Sequence, residues 1–268
     1  HEVTGSCTLL ECCGGNFLID YGMEQGLNVF ENAPLPAAPG QIDAVFLTHA
    51  HIDHSGMLPK LYKDGFRGKV YATQATENLS RIMLMDSAHI QQSDAEWMSR
   101  KAVRAGRAAI EPVYTTEDAA GVLRLMRPCS YAERIKVAEG VELRFTDVGH
   151  LLGSACVELW LTENGETRKI VFSGDVGNTD QPILSDPLTV DEADYLVIES
   201  TYGNRLHEKA GDTVAELAAV LQRAFDRGGS VIVPAFAVGR TQELLYAIRE
   251  IKQKRLVQSH DGWPVYLD

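Results

Sequence analysis

Long hydrophobic runs, a secretory pattern and an excess of positive charge are all missing from this sequence. No apolar run among its 268 residues approaches the roughly 20 residues that span a bilayer, so no membrane segment is predicted. Acidic residues outnumber basic residues by 37 to 25, and the net charge of −12 argues mildly against a nucleic-acid partner. Local charge and bound dications weaken that argument, because binding depends on the charge at the contact.

Cysteines are few and show no pairing pattern. The chain has five, an odd number, and no Cys-x-x-Cys pair. Such a set predicts reduced thiols in a cytoplasmic protein. The composition, 45% hydrophobic and 23% charged, is typical of a globular chain, and the length suits one large domain or one domain and part of another.

Periodicity predicts short strands in the first half and alternating strands and helices in the second. The apolar run Ala44–Leu47 is typical of a buried strand, and residues 74–106 predict a long helix, with Ile82, Met83 and Met85 assigned to the core. The alternation of the second half is typical of parallel α/β units. Its predicted elements are a strand at Tyr195–Glu199, a helix at Thr213–Arg227, a strand at Ser230–Ala235 and a helix at Thr241–Lys252.

The segment Thr48–His54 contains three imidazoles and a carboxylate within six consecutive positions, directly after the run Ala44–Leu47. Residues two apart in extended backbone point the same way, so His49 and His51 can reach one metal ion together. Imidazole and carboxylate groups are ligands of divalent zinc. The remaining ligand-type side chains of the segment, which face a second ion in this interpretation, are Asp53 and His54.

Three further candidates for the metal site follow predicted strands elsewhere in the chain. His150 follows the strand Val141–Val148, Asp175 follows a strand that ends at Phe172, and Asp20 ends another strand. Loops gathered at one edge of a sheet commonly carry chemistry. Considered alone, each of these residues is more simply interpreted as a structural residue. Together with the histidine cluster each becomes a candidate for the metal site, because an ion needs about four ligands.

The order of these residues resembles the metallo-β-lactamase superfamily. The segments Glu199–Gly203 and Pro234–Glu243 are similar to its β-CASP branch, the RNA- and DNA-processing nucleases, and within it to the prokaryotic RNA-processing exonucleases akin to the polyadenylation-cleavage nuclease. The resemblance implies an α/β fold, a metallo-β-lactamase αβ/βα sandwich with the beginning of an inserted β-CASP α/β domain. Residues 1–205 are expected to form the incomplete core and residues 206–268 the start of the inserted domain.

The resemblance also implies a role for each site residue. It implies two zinc ions, one held by His49, His51 and His150, with a carboxylate bridging to the other. It assigns Asp53 and His54 to the second ion and Asp175 to the bridge between the ions. Asp20 would orient a ligand imidazole, and Glu199 would support the site.

The sequence departs from the β-CASP pattern at its end. The family carries two further histidines near the end of the inserted domain, one a ligand of the second metal and one a candidate general acid, and none of the eight histidines here fits. We therefore expect a chain truncated at both ends, with a weak second metal site and weak or absent turnover.

The function implied is hydrolysis of RNA phosphodiester bonds by a hydroxide that two metal ions activate. Whether the action is endonucleolytic or exonucleolytic is open. The expected partner is RNA, in single-stranded form, and the candidate assembly is a homodimer. One alternative is a small-molecule metallohydrolase acting on a thioester or a lactam. The other is a non-catalytic RNA-binding subunit.

Substrate contacts are predicted with the alternatives left open. Arg240, between a strand and a helix, suits a phosphate, but pairing with a carboxylate has equal weight. His207 is a candidate for the cleft, and a surface loop histidine is equally consistent. A basic stripe at helical spacing could track phosphates, although a solvated helix face is the simpler interpretation. The stripe consists of Arg100, Lys101, Arg104 and Arg107.

Overall fold

A computed structural model of the chain describes residues 5–25, 32–206 and 211–267. It divides the chain into two compact units, His1–Thr201 and Tyr202–Asp268. The predicted identities of the two parts, a metallo-β-lactamase core and the start of a β-CASP domain, stay predictions. Among the described residues, no helix combines the length and the apolar character that crossing a bilayer requires.

The first unit contains two five-stranded sheets. Sheet 1 has the strand order β1-β2-β3-β4-β5, with β1 and β2 antiparallel and the remaining pairs parallel. Its strands are β1 Thr8–Cys12, β2 Gly15–Ile19, β3 Ala44–Phe46, β4 Lys69–Thr73 and β5 Met126–Cys129.

Sheet 2 has the order β10-β9-β8-β7-β6, and only the β9–β10 pair is parallel. Its strands are β6 Ile135–Ala138, β7 Val141–Asp147, β8 Ala155–Glu163, β9 Glu166–Phe172 and β10 Tyr195–Val197. Asn164 and Gly165, a dipeptide typical of tight hairpin turns, join β8 to β9 in register.

The core has two layers, one on each face of sheet 1. Alternate residues of β3 divide between them: Val45 packs toward the helices, and Phe46 packs toward sheet 2. A parallel strand that is buried on both faces reads as a continuous apolar run, which is why Ala44–Leu47 was recognisable in the sequence. The predicted α/β fold class, with two sheets and helices, is confirmed.

The helical layer contacts sheet 1. Besides a short 3₁₀ helix at Pro39–Gln41, its helices are α1 Ile52–Ser55, α2 Leu58–Lys63, α3 Gln74–Arg104 and α4 Thr116–Leu123. Helix α3 buries the face that carries Leu84 and Ala88, and Met85 packs beside them. The assignment of Ile82 to the core was wrong: the residue is 67% exposed, because it lies two positions before Leu84, on a different face of the helix.

The second unit contains helices α5 Thr213–Phe225 and α6 Arg240–Lys254, which pack against each other around Leu221 and Ile251. Both helices were predicted. The strand predicted at Ser230–Ala235 was wrong: the segment forms neither a helix nor a strand in the described part of this unit. An apolar segment becomes a strand only where a neighbouring strand supplies hydrogen bonds.

Candidate metal centre

Four donor atoms converge where strands of both sheets end. They belong to His49, His51, His150 and Asp175, and all lie within 4.8 Å of one another. His49 and His51 follow β3, whereas His150 and Asp175 follow β7 and β9. The structure thus brings together residues that lie up to 126 positions apart in the sequence, because the two sheets meet at this edge.

The spacing of the ring nitrogens fits a shared cation. Nε2 of His49 lies 3.1 Å from Nδ1 of His51, and Nε2 of His150 lies 3.3 Å from the same atom. Two donors that are each about 2.05 Å from a tetrahedral zinc ion would be about 3.3 Å apart. Three imidazoles and a carboxylate are a donor set that suits a divalent metal, so this cluster fits the ion that the sequence predicts.

The protonation states suit ligands. Burial, with the neighbouring histidines, lowers the pKa of His49 well below its ordinary value and also lowers that of His51. Burial raises the pKa of Asp175, but its hydrogen bond with His54 and the other imidazoles outweigh this effect and lower it. Neutral imidazole and ionised carboxylate are the forms that bind metals.

Asp20 organises the buried side of the site. Its carboxylate accepts hydrogen bonds from the Thr48 backbone N–H at 2.7 Å, from the Thr48 hydroxyl at 2.8 Å and from Nδ1 of His54 at 2.8 Å. The Asp20 backbone has a φ of +59°, in the left-handed region that non-glycine residues rarely adopt. Burial alone would lower the pKa of His54, but the carboxylates of Asp20 and Asp175 raise it to about 10, so they favour positive charge at this point.

Asp175 faces two groups of imidazoles at once. Its Oδ1 lies 3.2 Å from Nε2 of His54, whereas its Oδ2 lies 3.5 Å from Nε2 of His150 and 3.9 Å from Nε2 of His49. The two oxygens of one carboxylate therefore point toward two different positions. A cavity of about 620 Å³ opens beside this residue, and Asp20, Thr48, His54 and Glu199 are among the residues that line it.

Glu199 supports the loop that carries Asp175. Its Oε1 accepts a hydrogen bond from the backbone N–H of Val176 at 2.7 Å, and its own N–H donates to the Ser173 hydroxyl at 3.1 Å. The two contacts bracket Asp175 on either side in the sequence. Glu199 therefore helps to position Asp175, and it also lines the cavity.

Asp53, Arg240 and His207 are the remaining predicted site residues. Asp53 lies on α1 beside His54, and its carboxylate opposes part of the lowering of the His51 pKa that burial causes. Arg240 pairs with Glu243 at 2.6 Å at the start of α6, as the alternative interpretation allowed. His207 lies outside the described residues. The roles assigned to these residues stay predictions.

Two residues that the sequence interpretation gave no role hold the site together. The Thr48 hydroxyl lies 3.1 Å from Nδ1 of His49 while it donates to Asp20. The Ser154 hydroxyl accepts the backbone N–H groups of His150 and Leu151 at 3.0 and 3.1 Å. Thr48 could have been suspected from its place beside His49, but no sequence signal distinguishes Ser154 from an ordinary turn serine.

The sequence matches the model of one family and several characterised proteins. The model described as the metallo-beta-lactamase superfamily matches residues 2–235. Ribonuclease TTHA0252 of Thermus thermophilus is 40% identical over all of this chain and 56% of its own length. Transcription termination factor FttA of Methanosarcina mazei is 32% identical over all of this chain and 40% of its own length.

A eukaryotic protein shows a similar likeness. Cleavage and polyadenylation specificity factor 73 of Drosophila melanogaster is 31% identical over 93% of this chain and 34% of its own length. The chain thus spans between about a third and just over half of these relatives.

Proposed function

The chain belongs to the metallo-beta-lactamase superfamily, and on that premise we propose that it hydrolyses phosphodiester bonds of RNA. The observation that carries the proposal is the convergence of three imidazoles and Asp175 at one point, beside an open cavity of about 620 Å³. The names of the relatives, a ribonuclease, a termination factor and a cleavage factor, support RNA as the substrate. We propose the single-stranded form, as expected from the sequence.

We assign two zinc ions to the site. His49, His51 and His150 would hold the first, and the position of Oδ1 of Asp175 beside His54 supports a bridging role for Asp175. Asp53 and His54 would hold the second, with fewer ligands from this chain than the first. Divalent ions held by these residues would supply a water molecule of lowered pKa and positive charge opposite the phosphate.

The surrounding residues set the tautomers that this arrangement requires. A metal-bound His54 would be neutral; with its Nδ1 proton donated to Asp20, its Nε2 would be the unprotonated nitrogen that faces Asp175. Thr48 donates to Asp20 and can accept the Nδ1 proton of His49, which leaves Nε2 of His49 free to face His51. Such partners raise the basicity of an imidazole ligand and fix its ring. Glu199 is in our assignment a positioning residue for Asp175.

Metal content measured by elemental analysis tests the proposal first. We expect bound zinc in the unsubstituted chain and a sharp decrease in Asp175→Ala. Glu192→Ala, which removes one exposed carboxylate from the same unit, should retain its metal. A value near two ions per chain supports the binuclear assignment, and a value near one supports a weak second site. A chain that binds no zinc after zinc addition contradicts the proposal.

Substrate assays separate the remaining alternatives. We expect cleavage of single-stranded RNA that depends on metal and is lost in Asp175→Ala, with no turnover of a lactam or a thioester. Hydrolysis of a lactam or thioester without cleavage of RNA would favour the small-molecule hydrolase. Binding of RNA by a chain that holds no metal would favour the non-catalytic subunit. The homodimer is tested by sedimentation velocity, and the cytoplasmic location stays a prediction.

A further inference from the structure

The C-terminal end of α3 carries a group of cations and one large aromatic side chain. We call this group the basic end of α3. Trp97, Arg100, Lys101 and Arg104 are three or four positions apart, so they lie on one face of the helix. From Trp97 to Ile110 the sequence contains four cations and no carboxylate, in a chain whose net charge is −12. The group comprises Trp97, Arg100, Lys101, Arg104 and Arg107.

In the part of the chain that the structure describes, the arginines of the basic end have no ion-pair partner within 4.0 Å, although Glu96 lies four residues before Arg100 and lines the same groove. Among the described residues, Arg100, Arg104 and Arg107 form no ion pair, and Lys101 lies over the Trp97 ring at 3.4 Å from its centroid. A second tryptophan shows the opposite arrangement. Trp160 also has cations around its ring, but Arg134 pairs with Glu142 there, and two further cations pair with a buried carboxylate.

The backbone around the basic end is well defined by hydrogen bonds. Gly106 has a φ of +71°, and Arg107 N–H bonds to the Ala102 carbonyl at 2.9 Å, which ends α3 in a left-handed cap. The Ser99 hydroxyl then donates to the Ile110 carbonyl and accepts the Ile110 N–H, so the chain returns along the helix. The arginines are therefore presented from a fixed backbone.

An exposed aromatic surface adjoins these charges. Trp97 is 53% exposed, although Lys101 covers one face of its ring. A groove of about 320 Å³ lies between α3 and the returning chain, and Glu96, Arg100, Ile110 and Pro112 are among its lining residues. The helix dipole favours cations in the last turn of a helix. It does not account for an exposed tryptophan beside them.

We propose that the basic end of α3 binds a stretch of single-stranded RNA away from the metal centre. Unpaired arginines supply contacts to phosphates, and the exposed ring of Trp97 supplies a stacking surface for bases. This inference rests on the proposed function, because RNA is the substrate assigned to the same unit. Of the occupants such a surface could take, arginines next to an exposed aromatic ring favour a single-stranded polyanion that carries bases over a second copy of this chain, which would offer carboxylates but no bases.

The basic end lies far from the catalytic edge. Helix α3 begins where the hydroxyls of Thr73 and Thr76 donate to the Gly153 carbonyl, three residues after His150. Trp97 lies 23 residues after the first residue of the helix, which corresponds to about 35 Å along its axis. An RNA that contacts both places must therefore be long, and a short substrate should contact the metal centre alone.

RNA binding measured by fluorescence anisotropy at several salt concentrations, in chelator to prevent cleavage, tests the proposal. In the triple variant Arg100→Gln, Arg104→Gln, Arg107→Gln we expect at least about a tenfold loss of affinity for a long oligonucleotide at low salt. The salt slope should fall by about 2, because each phosphate contact of a single strand contributes about 0.7. The matched control is Arg134→Gln, Lys136→Gln, Arg168→Gln, which removes the same charge from ion-paired positions and should bind as the unsubstituted chain does.

Trp97 gives an independent measurement. Trp97→Ala should weaken binding by about 5- to 150-fold with an unchanged salt slope, because stacking is lost and the charges remain. Trp97→Phe, which retains an aromatic ring, should recover part of that loss. Thermal unfolding followed by circular dichroism verifies that each variant is folded. Unchanged affinity and salt slope in the arginine variant overturn the proposal, and so does undetectable RNA binding by the unsubstituted chain.

Hydrolysis of bis(4-nitrophenyl) phosphate distinguishes failure of this proposal from failure of the proposed function. The arginine variant should hydrolyse this small diester at the rate of the unsubstituted chain, since the diester reaches only the metal centre. Loss of diester and RNA hydrolysis in every form, with RNA binding that still depends on the arginines, contradicts the proposed function alone. A dimer that dissociates in Trp97→Ala, with RNA binding unaffected, shows that a second copy covers this surface and overturns the proposal.

Discussion

A single hydroxyl at Ser154 holds the loop that presents His150. The residue is 1% exposed, and its oxygen accepts two successive backbone N–H groups of that loop. The Ser154 carbonyl in turn accepts the hydroxyl of Tyr131 at 3.0 Å, so the loop is fixed from both sides. The geometry of one metal ligand thus depends on a side chain that touches no metal.

Substitution of Ser154 by Ala should therefore weaken metal binding. It leaves two backbone N–H groups without their acceptor, and loss of a partner that orients a ligand typically costs 10- to 100-fold in metal affinity. Zinc affinity measured by competition with a chelator checks this value. Ser93→Ala, at an exposed position of α3, is the matched control and should leave the affinity unchanged. Equal affinities in Ser154→Ala and the unsubstituted chain would contradict the orienting role.

The ligand-type residues could be predicted from the sequence, but their supports could not. His49 and His51 stand close together after an apolar strand, so their spacing alone indicates a metal site. His150 and Asp175 became candidates only beside that cluster. Ser154 acts through a contact that forms when two separate loops fold against each other, and a serine in a turn is too common to carry such a signal.

At the scale of the secondary-structure elements, three neighbouring strands share one network of buried ion pairs. Glu158 on β8 is fully buried, and it accepts two hydrogen bonds from Arg144 on β7, both at 2.8 Å, and one from Lys169 on β9 at 2.7 Å. Burial alone would raise the pKa of Glu158. The hydrogen bonds from Arg144, Lys169 and Thr146 outweigh burial and lower this pKa to about 2.

The network makes stability depend on pH with a definite sign. The folded pKa of Glu158, about 2, lies below the ordinary value of 4.5, so its contribution is complete above about pH 5 and is lost as pH falls toward 2. Glu158→Gln should therefore lower the free energy of unfolding by about 2–3 kcal/mol at pH 7, and the difference should shrink at pH 3. Urea unfolding in chelator at both pH values measures it. The control is Glu142→Gln, at an exposed ion pair, which should change the free energy of unfolding by less than about 1 kcal/mol. If the effect of Glu158→Gln does not depend on pH, this account is contradicted.

The start of α3 is tied to the His150 loop through Gly153. This glycine has a φ of +88°, and a Cβ atom there would lie 2.4 Å from the backbone nitrogen of Thr76. Gly153→Ala should destabilise the fold by roughly 2–4 kcal/mol, because strain and a clash act together. Gly106→Ala is the matched control: its φ is +71° but it has open space, so only about 1 kcal/mol is expected. Thermal unfolding of both variants gives the comparison, and equal losses would show that the contact with Thr76 has no effect.

Elements were predictable where the local pattern and the fold agreed. Helix α3 was recognised along nearly its whole length, because its residues favour a helix and Thr73 caps its first turn. The exposed face of α3 could not be predicted, because Ile82 is apolar and only the packing against sheet 1 decides which face is buried. The strand predicted at Ser230–Ala235 failed for a related reason: the apolar pattern was present, but no partner strand lies among the described residues of its unit.

At the scale of the whole molecule, the two units differ greatly in the size of their hydrophobic cores. The first unit buries two large clusters around sheet 1 and a smaller one centred on Val171. Among its described residues, the second buries one small apolar cluster, formed by Ala218, Leu221, Ile251 and Val257. Hydrophobic burial is the main favourable contribution to folding, and below about 70–80 residues one core rarely supplies more than 3–5 kcal/mol. The stability of the molecule therefore resides mainly in the first unit.

This asymmetry predicts different behaviour of the two pieces when each is produced alone. The piece His1–Thr201 includes every residue of the metal cluster together with Glu199, so it should unfold cooperatively and bind zinc within about threefold of the 268-residue chain. The described part of the piece Tyr202–Asp268 buries four apolar residues, so this piece should show no cooperative thermal transition. Circular dichroism melts and zinc titrations of both pieces, beside the intact chain, measure these properties. A cooperative transition in the smaller piece would show that its core suffices, and loss of zinc binding by the larger piece would show that the metal centre requires the second unit.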